Sequence, residues 1–429
     1  MAQQLEEPVA LVCTSGSAAL NYYPAVAEAF FQQIPLLILT ADRPAEWIDQ
    51  YDGQTIFQPN VYGKHVKGSF ELPDSSTFPD QLWQSSRIVN EAINLAKQFP
   101  AGPVHINIPL REPFYPSKDE KLTFPEKPRV FNQEHSSVQL SEESLKRLKN
   151  RLQSFSKILI VAGQQNPSNA LQAGLDQLSK DKKVVIVTDT ISNLQSDQTI
   201  SLHDHWLGNP SKSQELEPEL IISFGKSVIS KSLKLFLRKT QASHWHIQED
   251  GKAKDTFQRL SRTIPCSPVH FLNWLTTDLK PQDQDYYNSW FQLEKNAKSG
   301  LADALKESEF GEYPALSFCL SKTPVQSKIH AANSMAVRYL NLLGKRSQEI
   351  ICNRGTSGID GSNSTAVGCT FTTKEIVTLV TGDMAFFYDR NAFWHNYSIP
   401  NLRIILLNNH AGGIFRLIDG PANQPELEE

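Results

Sequence analysis

Short, predominantly apolar runs alternate with longer amphipathic stretches along almost the whole of this chain, and that alternation limits its fold more than any other feature. Val9 to Cys13, Leu36 to Leu39, Val104 to Ile108, Ile158 to Ala162, Val184 to Thr188 and Leu220 to Phe224 are of this kind, as are Glu349 to Cys352, Glu375 to Val380 and Leu402 to Leu407. A strand that is apolar on both faces has to be covered on both faces, which happens in parallel sheets whose crossover connections are helices. The intervening stretches fit that role: Ala18 to Gln33 and Phe78 to Gln98 carry apolar residues at helical spacing. The fold class is therefore α/β, with parallel sheets flanked by helices.

At 429 residues the chain has room for about three domains of roughly 150 residues. Prolines and charges crowd between Arg111 and Arg129, so residues 111–140 read as an interdomain linker. A helix from Ser141 to Phe155 follows, with Glu142 and Glu143 in its first turn and Lys149 and Arg151 near its end, as the helix dipole favours. Helix Ala170 to Ser179 and strand His244 to Gln248 continue a second α/β domain, closed by a polar connection with a helix near Tyr287 to Leu305. Gly163-Gln164-Gln165 lacks the G-x-G-x-x-G pattern, so no dinucleotide is placed there. A third domain begins near Lys328, where Asn333-Ser334 can cap a helix that runs to Leu343 and stops at Gly344. The expected boundaries are 1–125, 126–325 and 326–429. A strand as early as Val9 places Met1 inside a fold, so the first domain is expected to lack its beginning and the last its end.

Forty-two Lys and Arg against 46 Asp and Glu leave a net charge of −4, which gives no reason to expect nucleic acid or an anionic membrane as partner. No apolar run reaches the ~18 residues of a membrane span, and residues 1–8 do not resemble a signal peptide, so the cytoplasm is the expected location. The five cysteines (Cys13, Cys266, Cys319, Cys352, Cys369) lack any C-x-x-C pair and read as reduced thiols. His203-x-His205 and His244-x-His246 are spaced for one face of a strand, yet neither pair has a third ligand nearby, and both read as structural.

The chemistry concentrates between Thr381 and Phe415. One strand opens into Gly382-Asp383-Met384; another, from Leu402 to Leu407, opens into Asn408-Asn409-His410-Ala411-Gly412-Gly413. A hard cation such as Mg²⁺ takes oxygen ligands in near-octahedral geometry, and Asp383, the amide oxygen of Asn409 and one loop carbonyl would suit it beside a diphosphate. Ligands of doubly wound sheets bind outside the strands' carboxyl ends, and Gly382, Gly412 and Gly413 would let backbone come close to one. Gly-Asp and Asn-Asn are also ordinary turn residues after strands, and from this stretch alone both readings stand. Gly-Asp followed about two dozen residues later by Asn-Asn resembles the pattern of thiamine diphosphate enzymes.

Further stretches narrow the resemblance. Thr14-Ser15-Gly16-Ser17-Ala18, Leu39-Thr40-Ala41-Asp42-Arg43-Pro44, Gly102-Pro103-Val104-His105-Ile106-Asn107, Asn333-Ser334 with Arg338, Asn353-Arg354-Gly355 through Asp360-Gly361, and Asn408-Asn409 through Ile414-Phe415 span nearly the whole chain. Together they resemble the MenD family, the 2-succinyl-5-enolpyruvyl-6-hydroxy-3-cyclohexene-1-carboxylate synthases of menaquinone biosynthesis. The resemblance implies a pyrimidine-binding, a central and a diphosphate-binding domain, with active sites between the subunits of a homodimer or homotetramer. It implies thiamine diphosphate and Mg²⁺ (or Mn²⁺) as cofactors. The reaction it implies is decarboxylation of 2-oxoglutarate and conjugate addition of what remains to isochorismate. Both substrates are polyanions, and arginine suits them because its planar fork grips carboxylates bidentately and stays charged.

Residue by residue, the resemblance implies catalytic roles for Gln54, Ser334, Arg338 and Arg354. Substrate contacts would come from Arg43, Gln54, Lys231, Ser334, Arg338 and Arg354, with Ile414 and Phe415 as an apolar wall. The cofactor would be held by Ile359, Gly382, Asp383, Met384, Asn409, Ala411 and Gly412. Ile359 would be the apolar wedge that bends it, a position that plain core packing explains equally well. The metal would be held by Asp383, Asn409 and the carbonyl of Ala411. Independently of the resemblance, Ser334 and Arg338 are four apart on an expected helix and so share a face. Arg43 and Arg354 fall at a strand end and in a glycine loop, places that commonly carry function.

The sequence departs from the family at Gly53, where some relatives have Asn, and at Ser232, where some have Arg. The family's Asp-Glu-Arg segment, whose Glu drives cofactor activation, would precede Val9 and is not in this sequence. On that ground the chain by itself is expected to be nearly inactive and poorly stable. Two alternatives remain open at this point: another thiamine diphosphate carboligase such as an acetolactate synthase relative, whose pyruvate site would need fewer cations, and a non-catalytic truncated paralogue.

Overall fold

The computed structural model describes the chain except residues 75–77, 112–117, 119–120, 122–127, 135–137, 181, 183, 209–213, 280–282, 411, 418–419 and 426–429. Among the described residues the strands form three sheets, and every pairing between strands is parallel. Most of the 111–140 linker therefore lies outside the described residues. The described chain divides into two compact units. One comprises residues 1–136 with 353–358; the other comprises residues 137–352 with 359–429.

The first unit holds a four-stranded sheet of β1 (Val9–Cys13), β2 (Leu36–Asp42), β3 (Ser69–Glu71) and β4 (Pro103–Pro109), in the order β1-β2-β4-β3. The apolar run at Val104–Ile108 lies in the interior of the sheet, where Val104 and Ile106 pack with Leu37, Ala92 and Ala96. The helix expected over Ala18–Gln33 is two helices, Ser17–Asn21 and Tyr23–Gln32, broken at Tyr22. Pro24 causes the break: without an N–H it fits the first turn of the second helix and not the interior of one long helix. A buried polar lattice locks the strand ends. Gln58 accepts from the Gly16 N–H (3.1 Å) and donates to the Ala41 carbonyl and to Asn107 Oδ1.

The second unit contains two sheets. The larger has the order β6-β5-β7-β8-β9, from β5 (Ile158–Ala162), β6 (Val185–Thr188), β7 (Leu220–Phe224), β8 (Ser243–Ile247) and β9 (Leu260–Ile264). Its apolar runs do what their sequence requires. Ile158, Ile160 and Ala162 face one core with Leu220, Ile222 and Phe224, while Leu159 and Val161 face another with Ile221 and Trp290. His244 and His246 do lie on a strand, both against the Ser223 hydroxyl at 2.7 and 2.9 Å. His203 and His205 do not: they form a 3-10 turn, with His203 fully buried and 3.6 Å from Asp189.

The third sheet has the order β11-β10-β12-β13, from β10 (Ser327–Ala331), β11 (Glu349–Ile351), β12 (Ile376–Gly382) and β13 (Leu402–Leu407). The helix expected from Asn333-Ser334 to Leu343 is present as Met335–Leu343 and stops at Gly344. Ser334 occupies its N-cap position, but with φ +70° and without a side-chain capping bond, so the expected cap is not made by the hydroxyl. The two sheets of this unit share a core: Ile191 and Ile229 from loops of the larger sheet pack with Ile329, Leu340 and Ile350 of the smaller. Among the described residues no helix is long and apolar enough to cross a membrane.

Candidate active site

The carboxyl ends of β10, β12 and β13 bring most of the candidate residues of the second unit to one edge of a sheet. Val380 lies opposite Ala331 and Ile405, and Gly382 opposite Leu407, so the residues that follow these strands emerge side by side at the ~5 Å spacing of neighbouring strands. Asp383 follows β12 directly, is buried, and opens the helix Asp383–Tyr388. Its Oδ1 accepts the Met384 N–H at 2.8 Å, a contact that fixes the carboxylate at a helix N-terminus, where negative charge is favoured. Met384 is half exposed.

Asn409 lies two residues beyond β13, and its amide nitrogen donates to Glu312 Oε1 at 3.0 Å. Holding the nitrogen to a carboxylate gives the amide oxygen a set direction. The other oxygen of Glu312 accepts the Tyr339 hydroxyl at 2.9 Å. Burial, and then Glu312 itself, push the Tyr339 phenol up to about 12. Glu312 is thus a residue of this site that the sequence did not reveal; it opens the helix Glu312–Ser321, 97 positions before Asn409. Gly413 explains its own glycine: a Cβ there would lie 2.7 Å from the Asn409 amide nitrogen. Ile414 is half-buried and Phe415 half exposed, on the 3-10 turn Gly413–Leu417 that follows Gly412. Ala411 lies outside the described residues, so its carbonyl has no structural account.

This donor set suits the cation the sequence suggested. One carboxylate and one oriented amide oxygen at adjacent strand ends leave positions for phosphate and water, as Mg²⁺ prefers. Among the described residues no cluster of three His, Cys, Asp or Glu forms an all-protein metal cage.

Other candidates divide between the units. In the second, Arg338 donates to the Ser334 carbonyl at 2.6 Å, so the four-residue spacing does bring them together, through the backbone of Ser334 and not its hydroxyl. Ile359 is half-buried against the core of the third sheet. Lys231 is exposed at the first position of the helix Lys231–Lys239, capped by Ser230, whose hydroxyl accepts the Leu233 N–H at 2.9 Å. Ser232 occupies the next position on that helix. In the first unit Arg43 follows β2, where its N–H donates to Asp42 Oδ1 (2.8 Å) and Asn107 donates to Asp42 Oδ2 (2.8 Å). Burial raises the Asp42 carboxyl above its usual range, with those two hydrogen bonds opposing the shift and the charge of Glu71 adding to it. Gln54 is exposed with φ +59°, and Gly53 has open space around it. Arg354 belongs to the segment Asn353–Gly358 that is part of this unit.

Comparison with known proteins identifies the family. Residues 1–65 match a family model described as the N-terminal TPP binding domain of thiamine pyrophosphate enzymes, and residues 126–328 match one described as the middle domain of thiamine pyrophosphate. A 2-succinyl-5-enolpyruvyl-6-hydroxy-3-cyclohexene-1-carboxylate synthase from Cytophaga hutchinsonii is 44% identical over all of this chain and 77% of its own length. The chain belongs to this synthase family. Synthases of the same name from Christiangramia forsetii (38% identical, covering 100% of this chain and 77% of the relative) and Flavobacterium psychrophilum (39%, 98% and 75%) support the same assignment. The chain is accordingly an enzyme of the thiamine-diphosphate-dependent transferase type with an α/β fold of parallel sheets. The alternative of a different carboligase family is set aside by these identities.

Proposed function

We propose that this protein carries out the synthase reaction of menaquinone biosynthesis, joining the succinyl unit left by decarboxylation of 2-oxoglutarate to isochorismate by conjugate addition. The observation that carries the proposal is the placement of Asp383 and Asn409 beyond the carboxyl ends of two paired parallel strands, with the Asn409 amide held by Glu312. Thiamine diphosphate, when bound, supplies an electron sink for decarboxylation of a 2-oxo acid. Asp383, Asn409 and Ala411 would hold Mg²⁺ (or Mn²⁺) against its diphosphate, with Gly382, Met384 and Gly412 beside it and Ile359 under its bend. Arg43, Gln54, Lys231, Ser334, Arg338 and Arg354 would bind and orient the two polyanions. Arginines do this without titrating at neutral pH, so the carboxylates stay paired throughout. Ile414 and Phe415 would keep water from one side.

The domain boundaries we assign are 1–125, 126–325 and 326–429, and the active assembly is a homodimer or homotetramer in the cytoplasm. The test, on enzyme that carries the family's Asp-Glu-Arg segment, is calorimetric titration of thiamine diphosphate with and without Mg²⁺, paired with chromatographic assay of isochorismate consumption in the presence of 2-oxoglutarate. Asp383→Ala is expected to abolish Mg²⁺-dependent binding and turnover together. Retention of both would sink the assignment.

A further inference from the structure

Glu28, on the helix Tyr23–Gln32, has no role in the reading above, yet it holds the loop that carries Arg354. Its Oε1 accepts the Gly355 N–H at 2.8 Å. Its Oε2 accepts the Thr356 N–H at 2.6 Å and the Thr356 hydroxyl at 2.7 Å. A fourth donor, the side-chain amide of buried Gln32 one turn along the same helix, reaches Oε1 at 3.0 Å and steadies the carboxylate from behind. Two successive backbone N–H groups and a hydroxyl converging on one carboxylate make charge-assisted bonds, the stronger kind. Gly355 is what lets this happen. A Cβ at that position would lie 2.6 Å from the Glu28 carbonyl oxygen and 3.0 Å from its side-chain carboxyl, so only glycine can seat the loop backbone directly on the helix.

We propose that Glu28 is a positioning residue for Arg354. Residues 353–358 lie between β11 and the helix Ser362–Thr370 and belong to neither element. Glu28 holds the Gly355 and Thr356 N–H groups of this segment, the first of them on the peptide that joins Arg354 to Gly355. An arginine on a fixed backbone surrenders less freedom when it grips a carboxylate, so the anchor is expressed as substrate affinity. The inference rests on the reading of Arg354 as a substrate contact, and the experiment separates the two.

In Glu28→Gln the side chain keeps one acceptor oxygen and turns an NH₂ toward Thr356. Hydrogen exchange of the purified protein should then show the Gly355 and Thr356 amides exchanging at least about tenfold faster. Steady-state kinetics, on enzyme that carries the family's Asp-Glu-Arg segment, should show KM for one of the two polyanionic substrates rising about tenfold with kcat changed much less, the pattern of lost binding. Arg354→Ala should raise KM for the same substrate. In the Arg354→Ala background, Glu28→Gln should add nothing, because its effect passes through the arginine. Thr356→Val, which removes one of the three loop donors and keeps the fold, should give a smaller shift of the same kind. Unchanged amide exchange in Glu28→Gln overturns the anchor. An undiminished KM effect of Glu28→Gln in the Arg354→Ala background overturns the positioning role. If Arg354→Ala leaves both KM values unchanged while the amides still loosen, the assignment of Arg354 fails and the anchor stands.

Discussion

Glu312 shows how a single side chain can set a candidate ligand without touching the metal. It grips the Asn409 amide nitrogen at 3.0 Å and the Tyr339 hydroxyl at 2.9 Å, one with each oxygen. Groups that orient a ligand typically govern metal affinity by about 10–100-fold. Glu312→Ala is therefore expected to weaken Mg²⁺-dependent thiamine diphosphate binding about tenfold or more in calorimetric titration, while Glu312→Gln keeps an acceptor and loses less. Equal affinities for wild type and Glu312→Ala would refute the orienting role. Asp383 and Asn409 were legible in the sequence because each follows an apolar run by one or two residues, and strand ends can be read from such runs. Glu312 and Glu28 were not, because each acts across 97 and 327 positions of sequence, and an acid on a helix face is indistinguishable from a solvated one until its partners are known.

At the level of elements, the predominantly apolar strands were recovered to within about three residues at either end, while elements stabilised by tertiary partners were missed. β10 lies in the interior of its sheet although it reads Ser-Lys-Ile-His-Ala: Lys328 is paired with Glu349, and His330 is buried in its neutral form. β9, at a sheet edge, keeps Ser261 and Arg262 exposed, which hides its pattern. The sequence pattern likewise points to no element at Ser69–Glu71, Lys231–Lys239 or Pro268–Asp278, and the helix Glu312–Ser321 falls within the expected polar connection. The helix Met335–Leu343 was predicted, but its attachment was not. Asn341 on its buried face accepts the Thr190 N–H at 3.0 Å and donates to Asp204 Oδ2 at 3.0 Å. Asp204 in turn accepts the hydroxyl of Ser230, the cap of the helix that begins with Lys231. One carboxylate thus ties together the elements bearing Arg338 and Lys231. Asn341→Leu would leave the Thr190 N–H buried without its acceptor, at a cost of about 2 kcal/mol. The loss should appear in urea denaturation followed by fluorescence of the buried Trp245 and Trp290. A midpoint equal to that of wild type would exclude this role for Asn341.

Across the whole molecule, the sequence distinguishes three α/β segments but not that two of the three sheets share one core. That union depends on loop contacts such as Gln164 with the Cys352 carbonyl (2.8 Å) and Asn193 with the Ile350 backbone (2.8 and 3.0 Å), which no periodicity announces. Both units bury neutral histidines. In the first, His105 lies between the Thr40 hydroxyl (2.8 Å) and the Ser69 hydroxyl (3.1 Å). Thr40 spends its own proton on Asn107 (3.1 Å), so His105 donates from Nε2 and accepts at Nδ1, a pairing that only the neutral ring can make. Burial pushes His105 down to about 4. In the second unit burial likewise pushes His244 to about 4 and His330 to about 3, and lowers His246. A histidine whose folded pKa lies below its unfolded value near 6.5 takes up its proton preferentially in the unfolded chain. Its contribution is present in full above about pH 6.5 and is lost as pH falls toward the folded pKa. His203 runs the other way: burial lowers it, but Asp189, Asp204 and Glu294 together outweigh burial and raise it, so its contribution is present at low pH and is lost as pH rises through its folded pKa. His105, His244 and His330 each therefore remove roughly 1.4 kcal/mol of stability per pH unit between about pH 6 and the folded pKa. His330 isolates the effect, because its Nε2 has no hydrogen-bond partner among the described residues and an apolar replacement forfeits nothing at that atom. Urea denaturation at pH 6 and pH 5 should show wild type losing stability in both units, and His330→Leu should lose roughly 1.4 kcal/mol less than wild type over that interval. Parallel losses in the two proteins would mean that His330 titrates alike in the folded and unfolded chains, contrary to its burial in β10.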